Sequence, residues 1–295
     1  MRTLVYTNAN GLSLTLSSRP YMITKIDGLG SPGLGLQEKF APYQDGSTLI
    51  DQLYQPRDLT VEFALAAVPS NLSGIATARR TIVSALNPKT GIGLLTFTND
   101  YGTWQIPAIP ASSPIFANRV STEPYQQVQV VFHCPNPYWQ STTQSTASLS
   151  YLGSSLEFPA AGLDMLAGGI EISSLGTLNG SVTNLTNGGD VDCPITLRFY
   201  GPATNPKVIN NTTGFYIRIV KVVASGDYFE FNTTFGQKTV TMSISGTLSS
   251  GMQYLDLNST FFQLQPGVNQ LQFVDEGSTA GSTATIAYRT RYIGV

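Results

Sequence analysis

The chain has 295 residues, a formal net charge of -2, and 41% hydrophobic but only 12% charged residues. That length predicts two domains, since one core commonly serves roughly 100–200 residues. With so little charge and no clustered basic face, the composition excludes a phosphate-tracking or sequence-specific nucleic-acid surface. The small polar and β-branched bias, with frequent Gly and Pro, favours a mainly β chain with many turns.

The start, Met1 to Tyr6, has no apolar leader-like segment, and no apolar run approaches bilayer length. A soluble protein made in the cytoplasm, with no membrane partner, is expected. Met22 to Ile26 reads as a strand closed by Asp27-Gly28, and a second Asp-Gly turn signal lies at Asp45-Gly46. Between them, Gly28-Leu29-Gly30-Ser31-Pro32-Gly33-Leu34-Gly35 contains a formal Gly-x-Gly-x-x-Gly match. A dinucleotide site would need a helix opening on those glycines to hold a pyrophosphate. Pro32, Gly33 and Gly35 argue against one, and a mobile hairpin or arm carrying Gly28, Gly30, Pro32, Gly33 and Gly35 is expected instead.

Leu59 to Ala67 alternates, with Leu59, Val61, Phe63 and Leu65 on one face. Pro69-Ser70-Asn71 then leads into one convincing helix, Leu72 to Leu86. Its apolar stripe is Ile75, Ile82, Val83 and Leu86, Arg79 and Arg80 lie mainly opposite, and Asn87-Pro88 stops it. Strands near Leu94–Thr98, Trp104–Ile109 and Gln126–His133 complete an α+β domain of residues 1–140. In the last of these, Val128, Val130 and Phe132 alternate with Gln127, Gln129 and Val131. Pro135 and Pro137 then remove two backbone donors and end the ladder. Tyr138 and Trp139 follow at once, and aromatics this large at a strand exit pack on something. Pro135, Pro137, Tyr138 and Trp139 are therefore expected to clamp the next segment, a Ser/Thr/Gln-containing linker of residues 141–166, against the first domain.

Residues 167–295 read as purely β. Strands are expected near Gly169–Ile172, Ser181–Asn187, Cys193–Tyr200, Gly214–Val223, Asp227–Asn232, Thr239–Ser245, Phe261–Gln263, Asn269–Val274 and Ala284–Tyr292. Turn signals at short, even intervals between them indicate a β-sandwich.

Little chemistry is visible. His133 is the only histidine, and Cys134 and Cys193 form no Cys-x-x-Cys motif, so no metal site or cofactor is expected from these types. His133 and Cys134 are neighbours in one strand and point to opposite faces. Both are expected to be structural, the two cysteines as buried free thiols. Asp190 and Asp192 lack the ligand spacing of a calcium loop and read as part of an Asx-stabilised turn. Asp227, Glu230, Asp275 and Glu276 flank turns and read as solvated surface. No catalytic constellation emerges, and the chain is not expected to be an enzyme. For a carbohydrate-binding module recognising host-surface glycans, Tyr216, Tyr228 and Tyr254 are the stacking candidates in the sandwich, each also fit for core or interface.

Taken in order, these residues resemble the siphophage distal tail proteins, the Dit family. The resemblance is carried by Ile26-Asp27-Gly28 and its Gly-rich excursion, Gln44-Asp45-Gly46-Ser47, and Pro56-Arg57-Asp58-Leu59 entering a strand. It continues through the helix with Arg79-Arg80 and through Phe132-His133-Cys134-Pro135-Asn136-Pro137-Tyr138-Trp139. The second half adds Gly188-Gly189-Asp190 before Cys193-Pro194-Ile195, Phe261-Phe262-Gln263-Leu264-Gln265-Pro266-Gly267-Val268-Asn269, and Ala287-Tyr288-Arg289-Thr290-Arg291-Tyr292. The resemblance implies a structural virion protein of the tail tip, a baseplate hub. It implies a homo-hexamer, as single or stacked rings, with an axial channel for DNA. The N-terminal domains would form the ring through an extended β-hairpin, and a galectin-like sandwich would project outward. The implied partners are the tail tube protein, a tail-associated tip or fibre protein, and receptor-binding proteins.

Overall fold

The computed structural model describes residues 2–43, 45–66, 72–117, 125–150, 182–277, 279 and 281–295. The chain divides into two compact units, one of residues 1–142 and 291–295 and one of residues 143–290. It is mainly β, with one α-helix, Leu72–Ala85, among the described residues.

The first unit is built on a ten-stranded sheet with the central order Ser13–Leu16, Thr3–Thr7, Gly93–Asn99, Gly102–Pro110, Tyr125–Cys134, Arg57–Ala66, Tyr21–Asp27. The longest antiparallel pairing joins Arg57–Ala66 to Tyr125–Cys134, setting Leu59 opposite Phe132, Val61 opposite Val130 and Phe63 opposite Val128. All six side chains are buried, as the period-two pattern requires. Gly102–Pro110 and Tyr125–Cys134 are in ladder register at only two positions, Phe132↔Pro110 and His133↔Ile109. The halves of the sheet on either side of that contact share one core, and Tyr6 of one half lies 5.0 Å from Phe132 of the other. The helix adds Ile82 and Ala85, with Leu86 just beyond it. Val83, expected in its apolar stripe, is instead 50% exposed, because the core-facing positions are taken by Ile82 and Ala85.

The second unit is a two-layered sandwich. One sheet has six strands, in the order Ser145–Ser150, Thr283–Tyr288, Ile195–Tyr200, Tyr228–Asn232, Thr239–Ile244, Thr247–Ser250. The other has four: Val182–Asn187, Gly267–Val274, Lys207–Asn210, Tyr216–Arg218. Their inner faces meet in a single core, where Phe199 stacks on Phe273 across the layers at 6.1 Å and packs edge-on against Phe231 at 5.5 Å. Buried Asn and Asp side chains satisfy the connecting loops, as burial of polar groups demands. Asn269 Oδ1 accepts from Gln265 N at 3.0 Å, while its Nδ2 donates to Gln265 O at 2.7 Å.

Several sequence expectations are corrected. The segment read as linker, residues 141–166, opens on the last residue of the strand Trp139–Ser141 and contains the strand Ser145–Ser150, an edge of the six-stranded sheet; residues 151–166 lie outside the described residues. So does the expected strand Gly169–Ile172. Phe261–Gln263 forms no strand; the neighbouring Leu264 makes an isolated bridge to Cys193. Gly214–Val223 is interrupted, with regular pairing only at Tyr216–Arg218 and Val222–Val223, because Ile219 turns to bridge Leu255. Asp275 is not solvated surface: it is 3% exposed, and its carboxylate accepts from Thr204 N, Gly277 N and Thr279 N at 2.8, 3.1 and 2.9 Å.

Candidate functional site

The feature that stands apart from both cores is a ribbon of two strands, Leu34–Lys39 and Thr48–Tyr54, which pair only with each other among the described residues. Leu34 lies opposite Tyr54, Gly35 opposite Leu53 and Leu36 opposite Gln52, so Leu34 and Leu36 project from one side and Leu53 from the other. Apolar side chains therefore occupy both faces. Leu36 is 54%, Ile50 64% and Phe40 72% exposed, and Leu34, Leu49 and Leu53 are about half exposed. A lone two-stranded ribbon is marginal in water, and a run of exposed large apolar groups is characteristic of interaction surfaces.

Residues Gly28–Gly33 form the entering root of this ribbon, and Gly35 lies in its first strand. Gly28 has φ +93°, and a Cβ there would stand 2.5 Å from Asp58 O, so the position admits only glycine. Gly30 faces open space, Pro32 is buried, and Gly33 O accepts from Gln55 N at 2.8 Å. At Gly35 a Cβ would meet the mobile end of the Gln55 side chain. A strand, not a helix, follows these glycines, which disposes of the dinucleotide spacing.

Pro135, Pro137, Tyr138 and Trp139, just after the long strand, belong to the first unit. Pro135 is exposed, Pro137 half-buried, and Tyr138 N donates to Asn136 Oδ1 at 3.3 Å. Trp139 is fully buried, 6.2 Å from Phe97, and its backbone pairs with Tyr292. Tyr138 packs edge-on against Tyr54 at the end of the ribbon, at 6.0 Å, and carries the Arg291 guanidinium 5.7 Å from its ring centre. The contacts of Tyr138 and Trp139 thus run to the ribbon and to residues 291–292, which lie far away in sequence.

His133 and Cys134 do point apart. His133 Nδ1 lies 2.7 Å from Asp58 Oδ1 at the surface, while Cys134 is buried and burial pushes its thiol up to about 12. A thiol so disfavoured as thiolate is a poor nucleophile. Asn187 Oδ1 accepts from Gly189 N at 3.0 Å and its Nδ2 donates to Val191 O at 2.9 Å, an Asx-type closure of the Asp190 turn. Among the described residues no three His, Cys, Asp or Glu side chains are grouped as metal ligands.

Tyr216 and Tyr228 lie in different layers of the sandwich and do not form one site. Lys207 Nζ sits 3.9 Å over the Tyr216 ring. Arg198 lies 4.5 Å over the Tyr228 ring and 5.8 Å from the Tyr200 ring, and Glu230 Oε2 accepts from Arg198 Nε at 3.0 Å. The bond to Glu230 raises the Arg198 pKa above its ordinary value. Glu230, expected as solvated surface, is part of this pair.

Two family models match the chain. Residues 188–292 match the siphovirus-type tail component, C-terminal domain, and residues 9–134 match the phage tail protein RIFT-related domain. The fold with its projecting ribbon thus belongs to a class of phage tail components. Within that class, the chain is a member of the siphovirus Dit tail-protein family. No curated protein matches it in sequence. Among solved structures it is similar to SPP1 Dit, described as a paradigm of the hub adsorption apparatus in phages infecting Gram-positive bacteria. That likeness has a TM-score of 0.69 and 13% identity and covers 99% of each chain. It is also similar to a chain of the phage P2 baseplate in its activated conformation with Ca, at TM-score 0.51 and 12% identity over 100% of each chain. At these identities the likeness is one of fold.

Proposed function

We propose that this tail protein is a hub ring of a siphophage tail tip. Six copies associate head-to-tail, singly or as stacked rings, around an axial channel through which DNA passes. The ring joins the tail tube protein to a tip or fibre protein and to receptor-binding proteins, and residues 143–290 serve as the outward, galectin-like sandwich. The role is structural, without catalysis. The observation that carries this reading is the ribbon. A ring contact is heterologous, joining two different surfaces, and a projecting ribbon with apolar groups on both faces supplies one of them. The scarcity of charge lowers the desolvation cost of a permanent interface. Negative-stain electron microscopy of the purified protein tests it: six-fold class averages with a central opening are expected, and isolated single particles of one chain would refute it.

A second reading, glycan binding by the sandwich, is favoured by one observation: Tyr200 and Tyr228 flank the Arg198–Glu230 pair on the outer face of the six-stranded sheet. Calorimetry with millimolar sugars, repeated on Tyr228→Ala, distinguishes the readings. Heat lost in the variant supports it, and no heat with the wild type removes it.

A further inference from the structure

We propose that residues 291–295 form a strap that fixes the direction of the ribbon by holding both of its roots. The entering root is Gly28–Gly33, and the leaving root is Tyr54 to Arg57. Arg57, 3% exposed, ties the entering root to the strap through one guanidinium. Its Nη1 donates to Gly28 O at 3.0 Å and Leu29 O at 3.4 Å, and its Nη2 donates to Ile293 O. Val295 N adds a bond to Leu29 O at 3.1 Å. Gly294 lies flat against the same segment, where a Cβ would come within 3.2 Å of Leu29 O and of the Gly30 carbonyl carbon. On the leaving side, Tyr54 meets Tyr138, whose ring also carries Arg291. The strap is itself seated by the pairs Trp139↔Tyr292 and Gln140↔Arg291.

The physics makes these contacts consequential. Among the described residues the strands of the ribbon pair only with each other, and a glycine at position 30 leaves the backbone of its entering root without a side chain to pin it. Arg57 is a buried cation whose two Nη atoms are held by carbonyl oxygens while its Nε has no partner among the described residues, so lifting the strap strips a partner from a charge that burial already disfavours. Residues 291–295 follow directly on residues 143–290 in the chain, and their contacts with the ribbon's roots are all non-covalent.

The proposal does not depend on ring formation and is tested within one chain by amide hydrogen exchange on the full-length protein. Two variants are compared with wild type. Gly294→Val wedges the strap away from Leu29 and Gly30, and Arg57→Lys replaces the fork with a single ammonium that cannot reach both sides. Expected is exchange about tenfold faster in the C-terminal peptide and in residues 27–33 and 54–56, with 59–65 and 195–200 unchanged. Faster exchange at the C-terminal peptide with wild-type exchange in 27–33 and 54–56 would overturn the strap. So would wild-type exchange everywhere in Gly294→Val. If one variant loses protection through 59–65 the other decides. Loss there in both would make residues 291–295 part of the core and equally contradict a strap.

Discussion

Trp139 shows how much a single side chain carries here. It is fully buried beside Phe97, and its indole N–H finds no acceptor among the described residues. Trp139→Ala is expected to lower stability by about 3–5 kcal/mol, as for other large core truncations. Trp139→Phe, which also removes the unpaired donor, costs less than half of that; equal losses in chemical denaturation would contradict the packing described. Cys134 makes a second prediction. Its folded thiol stands at about 12 against an ordinary 9.0, so the unfolded chain releases its proton first as pH rises. The neutral thiol's contribution is intact below pH 9 and is lost between 9 and about 12. Cys134→Ala should flatten the fall in stability over that window, measured by urea unfolding. Native wild type at pH 8 should leave Cys134 unlabelled by a thiol reagent. That Cys134 and Trp139 pack inward was readable from alternation and size. That Asp275 is buried was not, since only the folded loop brings Thr204, Gly277 and Thr279 amides around it.

The ribbon is the element with most to test. Leu36→Asp with Ile50→Asp places charge on exposed positions outside both cores, so the thermal midpoint should stay within about 2 °C of wild type. Sedimentation should nevertheless show oligomer giving way to monomer; an unchanged oligomer would remove the ribbon from the interface. The root makes a contrasting pair. Gly28→Ala forces a Cβ into Asp58 O at positive φ and is expected to cost about 1–3 kcal/mol, whereas Gly30→Ala, facing open space, should stay within about 0.5 kcal/mol. Sequence patterning made the long strands legible because one face of each is buried, as at Val128, Val130 and Phe132. It indicated a hairpin or arm at Gly28–Gly35 but no bounds for the ribbon's strands, because both faces are exposed and carry leucines, leaving no alternation to read. Ser145–Ser150 passed for linker because an edge strand of Ser, Thr and Ala buries little; only Leu149 is fully inside.

At the scale of the whole molecule, the chain leaves its first unit after residue 142, builds a complete sandwich, and returns at residue 291 to pair with Trp139 and Gln140. No local signal announces that return: Ala284–Tyr292 reads as one strand, and only the pairing partners show that Thr283–Tyr288 and Arg291–Tyr292 serve different units. Membership of the Dit family accounts for the pairing of a tail-protein domain with this sandwich, and in the proposed ring the exposed ribbon is the surface by which copies would hold one another. The proposed ring binds these together, and native mass spectrometry of the purified full-length protein measures it most directly. Six copies of the 31.7 kDa chain, about 190 kDa, or twice that for stacked rings, is the expected species. A chain that remains at 31.7 kDa across micromolar concentrations and a range of salt would contradict it.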